Sequence, residues 1–144
     1  KEGSLPLMKE IHIFIDLCAT GTKQERNDKI NRLIQGVYSI AMFMIESGIP
    51  QAYIWYDKVN GVIQEYSVEQ EEELYWMFQE LFRSKTTTEE SELMEAYVDW
   101  GKGRLLESAL YLTVADHESL DSGNLVRDRL EVMDLRGDVI EDQE

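Results

Sequence analysis

Two aspartates follow apolar, strand-like segments, and they are the residues whose type and position could support chemistry. Asp16 ends the run E-I-H-I-F-I-D that begins at Glu10, and Asp116 follows the run A-L-Y-L-T-V-A that begins at Ala109. Each carboxylate would stand where a buried strand emerges into a loop. If the two strands are neighbours, the carboxylates converge at the sheet edge where open α/β sheets bind ligands.

Hydroxyl groups add hard oxygen donors to these carboxylates. Thr20 lies four residues after Asp16, and a run of three threonines, Thr86, Thr87 and Thr88, stands in a predicted loop that precedes a helix. Carboxylate, hydroxyl and water oxygens are the ligands that Mg²⁺ or Mn²⁺ prefers. The pattern therefore predicts a divalent-cation site at one edge of the sheet.

The same residues also have structural explanations. Asp16 could cap the turn after its strand through an Asx hydrogen bond, and Thr87 with Glu90 three residues later matches a helix capping box. Cys18 fits a small buried position, because no histidine or basic cluster stands near it in the sequence to lower its pKa. His12 lies mid-strand between apolar neighbours and is expected to be structural.

The spacing of apolar residues predicts the elements that position these side chains. A helix is predicted from about Lys23 to Ser47, where apolar residues recur at i, i+3, i+4 and i+7, and Gly48 ends it. Two short strands, Ala52–Tyr56 and Val62–Tyr66, flank Asn60-Gly61, the signature of a type I′ hairpin. These two strands should be antiparallel neighbours.

The second half continues with helices and strands. Ser67 and Gln70 match a capping box that would begin a helix, and a second helix is predicted to end at Gly101 and Gly103. A buried strand at Ala109–Ala115 follows, and Leu130–Leu135 reads as a strand or a helix, with strand favoured. We therefore predict one α/β domain over residues 1–144: a three-layer sandwich with a mostly parallel central sheet and one antiparallel hairpin strand.

Composition limits the partners. The chain has 144 residues with 29 acidic and 14 basic side chains, a formal charge of −15, so nucleic acid and anionic lipid are not expected partners. The single cysteine excludes an intrachain disulfide and favours the cytoplasm, and no apolar run is long enough to be a membrane segment. The sequence begins with lysine, which is compatible with a piece of a longer protein.

The segment Asp16-Leu17-Cys18-Ala19-Thr20 after I-H-I-F-I resembles the D-x-S-x-S element of von Willebrand factor A domains, where a metal-ion-dependent adhesion site begins. That family's threonine before a helix matches Thr86, Thr87 or Thr88, and its aspartate after the fourth strand matches Asp116. The order of elements over residues 9 to 116 is also similar. Within the family, the chain is most similar to a bacterial branch often encoded beside MoxR-type ATPases.

The resemblance implies a non-catalytic protein-interaction module of von Willebrand A type. Its metal residues would be Asp16, Cys18, Thr20, Thr86 or Thr87, and Asp116, and its cation would be Mg²⁺. An acidic side chain of a protein partner, such as a MoxR-type AAA ATPase, would complete the coordination. Because Cys18 replaces a serine of the family pattern with a soft thiol, Mg²⁺ binding is expected to be weakened or lost.

An enzymatic alternative rests on the same segment. It also resembles the D-x-D-x-T motif of haloacid dehalogenase-type phosphatases, which implies a Mg²⁺-dependent phosphohydrolase with Asp16 as nucleophile and Asp116 and Asp121 as distal magnesium ligands. Cys18 at the position of the family's acid, the long helix that follows, and the lack of a suitably placed lysine favour the interaction module.

Overall fold

A computed structural model describes residues 10–88, 91–101, 109–115 and 130–136. The elements, in chain order, are β1 (Ile11–Ile15), α1 (Lys23–Ser47), β2 (Gln51–Asp57), β3 (Val62–Val68), α2 (Glu71–Arg83), α3 (Leu93–Gly101), β4 (Ala109–Thr113) and β5 (Leu130–Asp134). They form one five-stranded sheet with helices on its two faces, as the periodicity predicts. Leu130–Asp134 is a strand, which resolves the ambiguity of that segment.

The sheet has the order β3-β2-β1-β4-β5, and all neighbouring pairs are parallel except the antiparallel pair of β2 and β3. The chain builds from β1 to one side through β2 and β3, and then to the other side through β4 and β5. The direction of building therefore reverses between β1 and β4. In open α/β sheets this reversal opens a crevice at the carboxyl ends of the strands.

The two faces of the sheet carry separate apolar cores. Ile13 and Ile15 of β1 face α1 and α2, whereas Phe14 faces α3, because successive strand side chains point to opposite faces. The core beneath the helix pair includes Leu33, Val37, Ala41, Met44, Leu74, Met77, Phe78 and Leu81. The core beneath α3 includes Ile54, Leu93, Met94, Tyr97 and Tyr111.

Helix α1 has the bounds that its apolar spacing predicts. Its first turn is capped by Thr22, whose Oγ1 accepts from the Glu25 N–H at 3.2 Å while Glu25 Oε1 accepts from the Thr22 N–H at 2.8 Å. Gly48 ends the helix with φ +70° and donates its N–H to the Ile45 carbonyl at 3.1 Å. No helix in the part of the chain that the structure describes is long and apolar enough to cross a membrane.

The hairpin confirms the predicted strand pair but not the predicted turn. Asp57 pairs with Val62, which leaves the four residues Lys58–Gly61 in the turn, so the prediction of a two-residue type I′ turn is wrong. Asp57 accepts from the Asn60 backbone N–H at 3.3 Å and from its Nδ2 at 2.7 Å, and its carbonyl accepts from the Gly61 N–H at 2.8 Å. These bonds stabilise the wider turn.

The predicted start of α2 is also wrong. Ser67 stays in β3 opposite Ala52, and its Oγ donates to Glu10 Oε2 at 2.9 Å instead of capping a helix. The helix begins at Glu71, where Glu73 accepts backbone hydrogen bonds from Glu69 and Gln70 at 2.7 and 3.2 Å. Pairing with β2 extends the strand and moves the cap three residues along the chain.

Replacing Gly48 with alanine should lower the free energy of unfolding by about 1 kcal/mol, because φ +70° strains any residue that carries a Cβ. An added Cβ would meet nothing within 4 Å, so the loss comes from the backbone alone. Gly48→Asn should lose less, since asparagine tolerates this conformation better. Urea unfolding measures both changes, and an alanine variant as stable as the native chain would contradict the explanation.

Candidate functional site

The carboxyl ends of β1 and β4 are adjacent, and Asp16 lies at their junction. The Asp16 N–H donates to the Leu112 carbonyl at 3.0 Å, which extends the ladder by one residue, and Thr113 Oγ1 donates to Asp16 Oδ2 at 3.1 Å. Asp16 is therefore held at the point where the strand order reverses. Asp116 lies outside the described residues, so its convergence with Asp16 stays a prediction.

Asp16 is a buried carboxylate, only 4% exposed, in a polar environment. Burial raises its pKa above the ordinary value of 3.8. Hydrogen bonds from the Ser91, Tyr111 and Thr113 side chains and from the Cys18 backbone oppose that rise without cancelling it. The hydroxyl groups supply hydrogen bonds but no positive charge, so the negative charge of Asp16 is incompletely compensated.

The threonine loop lies directly against the segment after Asp16. The Thr87 N–H donates to the Leu17 carbonyl at 2.8 Å, and the Ala19 N–H donates to the Thr87 carbonyl at 2.9 Å. This two-bond bridge flanks Cys18 and joins two loops that are about seventy residues apart in the sequence. The structure thus brings Asp16, Cys18 and Thr87 into one region.

The other three candidate threonines, Thr20, Thr86 and Thr88, are exposed on the outside of these loops. The Thr20 carbonyl accepts from Lys29 Nζ at 3.0 Å. Arg26 of the same helix donates to the Gly21 carbonyl at 2.7 Å. The first turns of α1 therefore hold the loop that carries Thr20 beside the edge of the sheet.

Cys18 is nearly inaccessible, with 3% of its surface exposed. Burial and the neighbouring Asp16 carboxylate raise the pKa of its thiol to about 11, against the opposing effect of Lys58 and Lys29. Because this pKa lies well above physiological pH, Cys18 is a neutral thiol there. The thiolate is the form that binds metals and attacks electrophiles. Cys18 is therefore suited neither to ligate a hard cation nor to act as a nucleophile.

A small cavity of about 20 Å³ lies beside Asp16, with room for about one water molecule or ion. Its polar lining includes Thr87, Ser91, Lys58, Lys85 and Glu92. Lys58 Nζ lies 3.4 Å from Glu92 Oε2. The two lysines bring positive charge close to Asp16. They come from the hairpin turn and the threonine loop, which only the folded chain brings together.

The donor set fits a weakly held Mg²⁺ ion. Asp16, Thr87 and Ser91 supply hard oxygen atoms, and the charge of Asp16 is incompletely compensated in the protein alone. Cys18 contributes no hard donor, and Lys58 and Lys85 lower the attraction for a cation. The expected result is affinity below that of a site with serine at this position.

Asp16→Asn should raise Tm at pH 7 in the presence of EDTA. Because burial raises the folded-state pKa of Asp16, its ionisation opposes folding at pH values above the unfolded value near 3.8. The amide removes that cost, and hydroxyl groups can accept from it as well as donate to it. Each kcal/mol gained should raise Tm by about 4 °C in a chain of this size.

The pH profile distinguishes this effect from a general gain in packing. The Tm difference between Asp16→Asn and the native chain should shrink as pH falls towards 3.8 and vanish below it. Asp28→Asn is the matched control, because it makes the same charge change at an exposed position on α1. A lower Tm for Asp16→Asn at pH 7 would mean that a positive charge already compensates the carboxylate.

Comparisons with protein-family models, with curated proteins and with solved structures find no match to this chain.

Proposed function

We propose that this chain is a protein-interaction module that binds its partner at the carboxyl edge of β1 and β4, with a metal-ion-dependent adhesion site weakened by Cys18. The observation that carries the proposal is the position of Asp16, a buried carboxylate at the reversal of strand order. The backbone bridge from Thr87 to Leu17 and Ala19 supports it, because the resemblance to von Willebrand A domains implies a threonine loop beside the segment that follows Asp16.

The described residues would have different roles in such a site. Thr113, Ser91 and Tyr111 orient the Asp16 carboxylate by hydrogen bonds. Asp16 and Thr87 would hold Mg²⁺. The resemblance implies Thr20, Thr86 and Asp116 as further ligands. When bound, the ion supplies an attraction for a carboxylate of the partner, which a chain with a formal charge of −15 would otherwise repel.

The partner that the resemblance implies is a MoxR-type AAA ATPase. An acidic side chain presented on its surface would complete the coordination of Mg²⁺. Without the ion, recognition would depend on the shape and charge of the same edge, where Lys58 and Lys85 provide positive charge in an acidic protein.

A magnesium titration of four proteins tests the metal site. Mg²⁺ should raise the Tm of the native chain slightly, Asp16→Asn should abolish the rise, and Cys18→Ser should enlarge it by restoring an oxygen donor. The expected gain in affinity for Cys18→Ser is about tenfold, the scale on which the surroundings of a metal change its binding. Differential scanning calorimetry over a series of Mg²⁺ concentrations measures these shifts.

Asp28→Asn serves again as the control for charge and should respond like the native chain. If the native chain, Cys18→Ser and Asp16→Asn all respond equally, the metal-dependent form of the proposal is wrong. The proposal of an interaction module would then hold only in its metal-independent form. That form requires the chain to bind a purified ATPase partner equally well in Mg²⁺ and in EDTA.

A Mg²⁺-dependent phosphohydrolase is the second candidate, and the two lysines beside Asp16 favour it. Lys58 and Lys85 could neutralise a phosphate whose phosphorus is attacked by the Asp16 carboxylate. It ranks second because the cavity of about 20 Å³ is too small to enclose a phosphate group, and the neutral thiol of Cys18 replaces the acid of that family. Hydrolysis of p-nitrophenyl phosphate that Asp16→Asn abolishes would reverse this order.

A further inference from the structure

Two carboxylates and an imidazole meet at the other end of β1. The ligand atoms of Glu10, His12 and Glu65 all lie within 4.8 Å of one another, and the three residues are half-buried. We propose that this triad binds Zn²⁺, with the remaining coordination positions open to water. The proposal is independent of the function assigned to the Asp16 edge.

The register of three strands brings the triad together. His12 on β1 pairs with Ala52 on β2, and Ala52 pairs with Ser67 on β3. Glu65 is two residues from Ser67, so both side chains point to the same face. That face is the one that carries Phe14 and Ile54, beneath α3.

Ala52 makes the meeting possible. Strands β1 and β3 are not neighbours, and two strand spacings separate them by about 9.6 Å. On β2, Ala52 lies opposite His12 and Ile54 lies opposite Glu65, so the two outer side chains meet diagonally past Ala52. The single methyl group of Ala52 lets the longer side chains of the outer strands reach across it.

Glu10 is already oriented for this role. Its Oε2 accepts from Ser67 Oγ at 2.9 Å, which holds the carboxylate over the same face as His12 and Glu65. Carboxylates and imidazoles that ligate metals in proteins are commonly fixed by such outer hydrogen bonds. Glu10 can ligate through its other oxygen while this bond is kept.

The chemistry of the three donors selects the metal. One imidazole nitrogen and two carboxylate oxygens form a three-ligand set that Zn²⁺ accepts together with water, whereas Mg²⁺ favours oxygen ligands alone. Zinc bonds of about 2.0–2.2 Å require the donors to approach more closely than 4.8 Å. Rotations of the glutamate side chains can supply that movement, and the two carboxylates balance the charge of the ion.

The site is separate from the predicted magnesium site. Glu10 and His12 lie at the amino end of β1, and Asp16 follows its carboxyl end. Substitutions at one end should therefore leave metal binding at the other end unchanged.

Isothermal titration of the EDTA-treated full chain with ZnCl₂ tests the proposal. The native chain should bind one Zn²⁺, and Glu65→Gln and His12→Gln should each weaken this binding at least tenfold. Glu72→Gln, an exposed position on α2 with the same charge change as Glu65→Gln, should bind like the native chain. Asp16→Asn and Cys18→Ser should do the same, and a large excess of Mg²⁺ should not displace the zinc.

Two further measurements keep the result interpretable. Urea unfolding without metal should show that Glu65→Gln folds normally, since it changes one atom of a half-buried side chain. Cobalt(II) substitution should give visible absorption without the near-ultraviolet charge-transfer band of a thiolate ligand, which excludes Cys18 as the donor. No zinc binding, or equal zinc affinity in Glu65→Gln, His12→Gln and Glu72→Gln, would overturn the proposal.

Discussion

Parallel pairing of β1 with β2 on one side and with β4 on the other is the constraint on which the rest of the structure depends. Ile13, Phe14 and Ile15 are completely buried, because helices cover both faces of the sheet at this strand. A slip of one residue would turn every side chain to the opposite face and mismatch both cores. The polar residues at the two ends of β1 are therefore held in fixed positions relative to β2, β3 and β4.

The buried carboxylate of Asp16 is a polar group that this arrangement holds at the end of β1. The surrounding hydroxyl groups satisfy its hydrogen bonds, yet burial still raises its pKa. A buried charge that is hydrogen-bonded but not paired is costly to folding and attractive to a cation. A titratable group with a perturbed pKa in a crevice is a candidate functional residue. Asp16 lies where open α/β sheets bind their ligands.

The wrong sequence predictions arose where a short motif indicated one local structure and other contacts stabilised another. Asn60-Gly61 indicated a tight turn, but the Asp57 side chain stabilises a turn of four residues. Ser67 matched a helix cap, but the ladder with β2 keeps it in β3. At the turn the hydrogen bonds of Asp57 decided between the two arrangements, and at Ser67 the contacts with the neighbouring strand did so. The capping pair Thr22 and Glu25 could have been found from their spacing alone.

The sequence by itself determined the class of fold, the bounds of α1, the strand pair β2 and β3, and the position of Asp16 at a strand end. These features follow from the periodicity of apolar residues and from residues that break it, both of which are local properties of the chain. Tertiary structure alone placed Thr87 against Leu17 and Ala19, brought the two lysines beside Asp16, and gathered Glu10, His12 and Glu65. Those contacts join residues far apart in the sequence, so the order and register of the strands decide them.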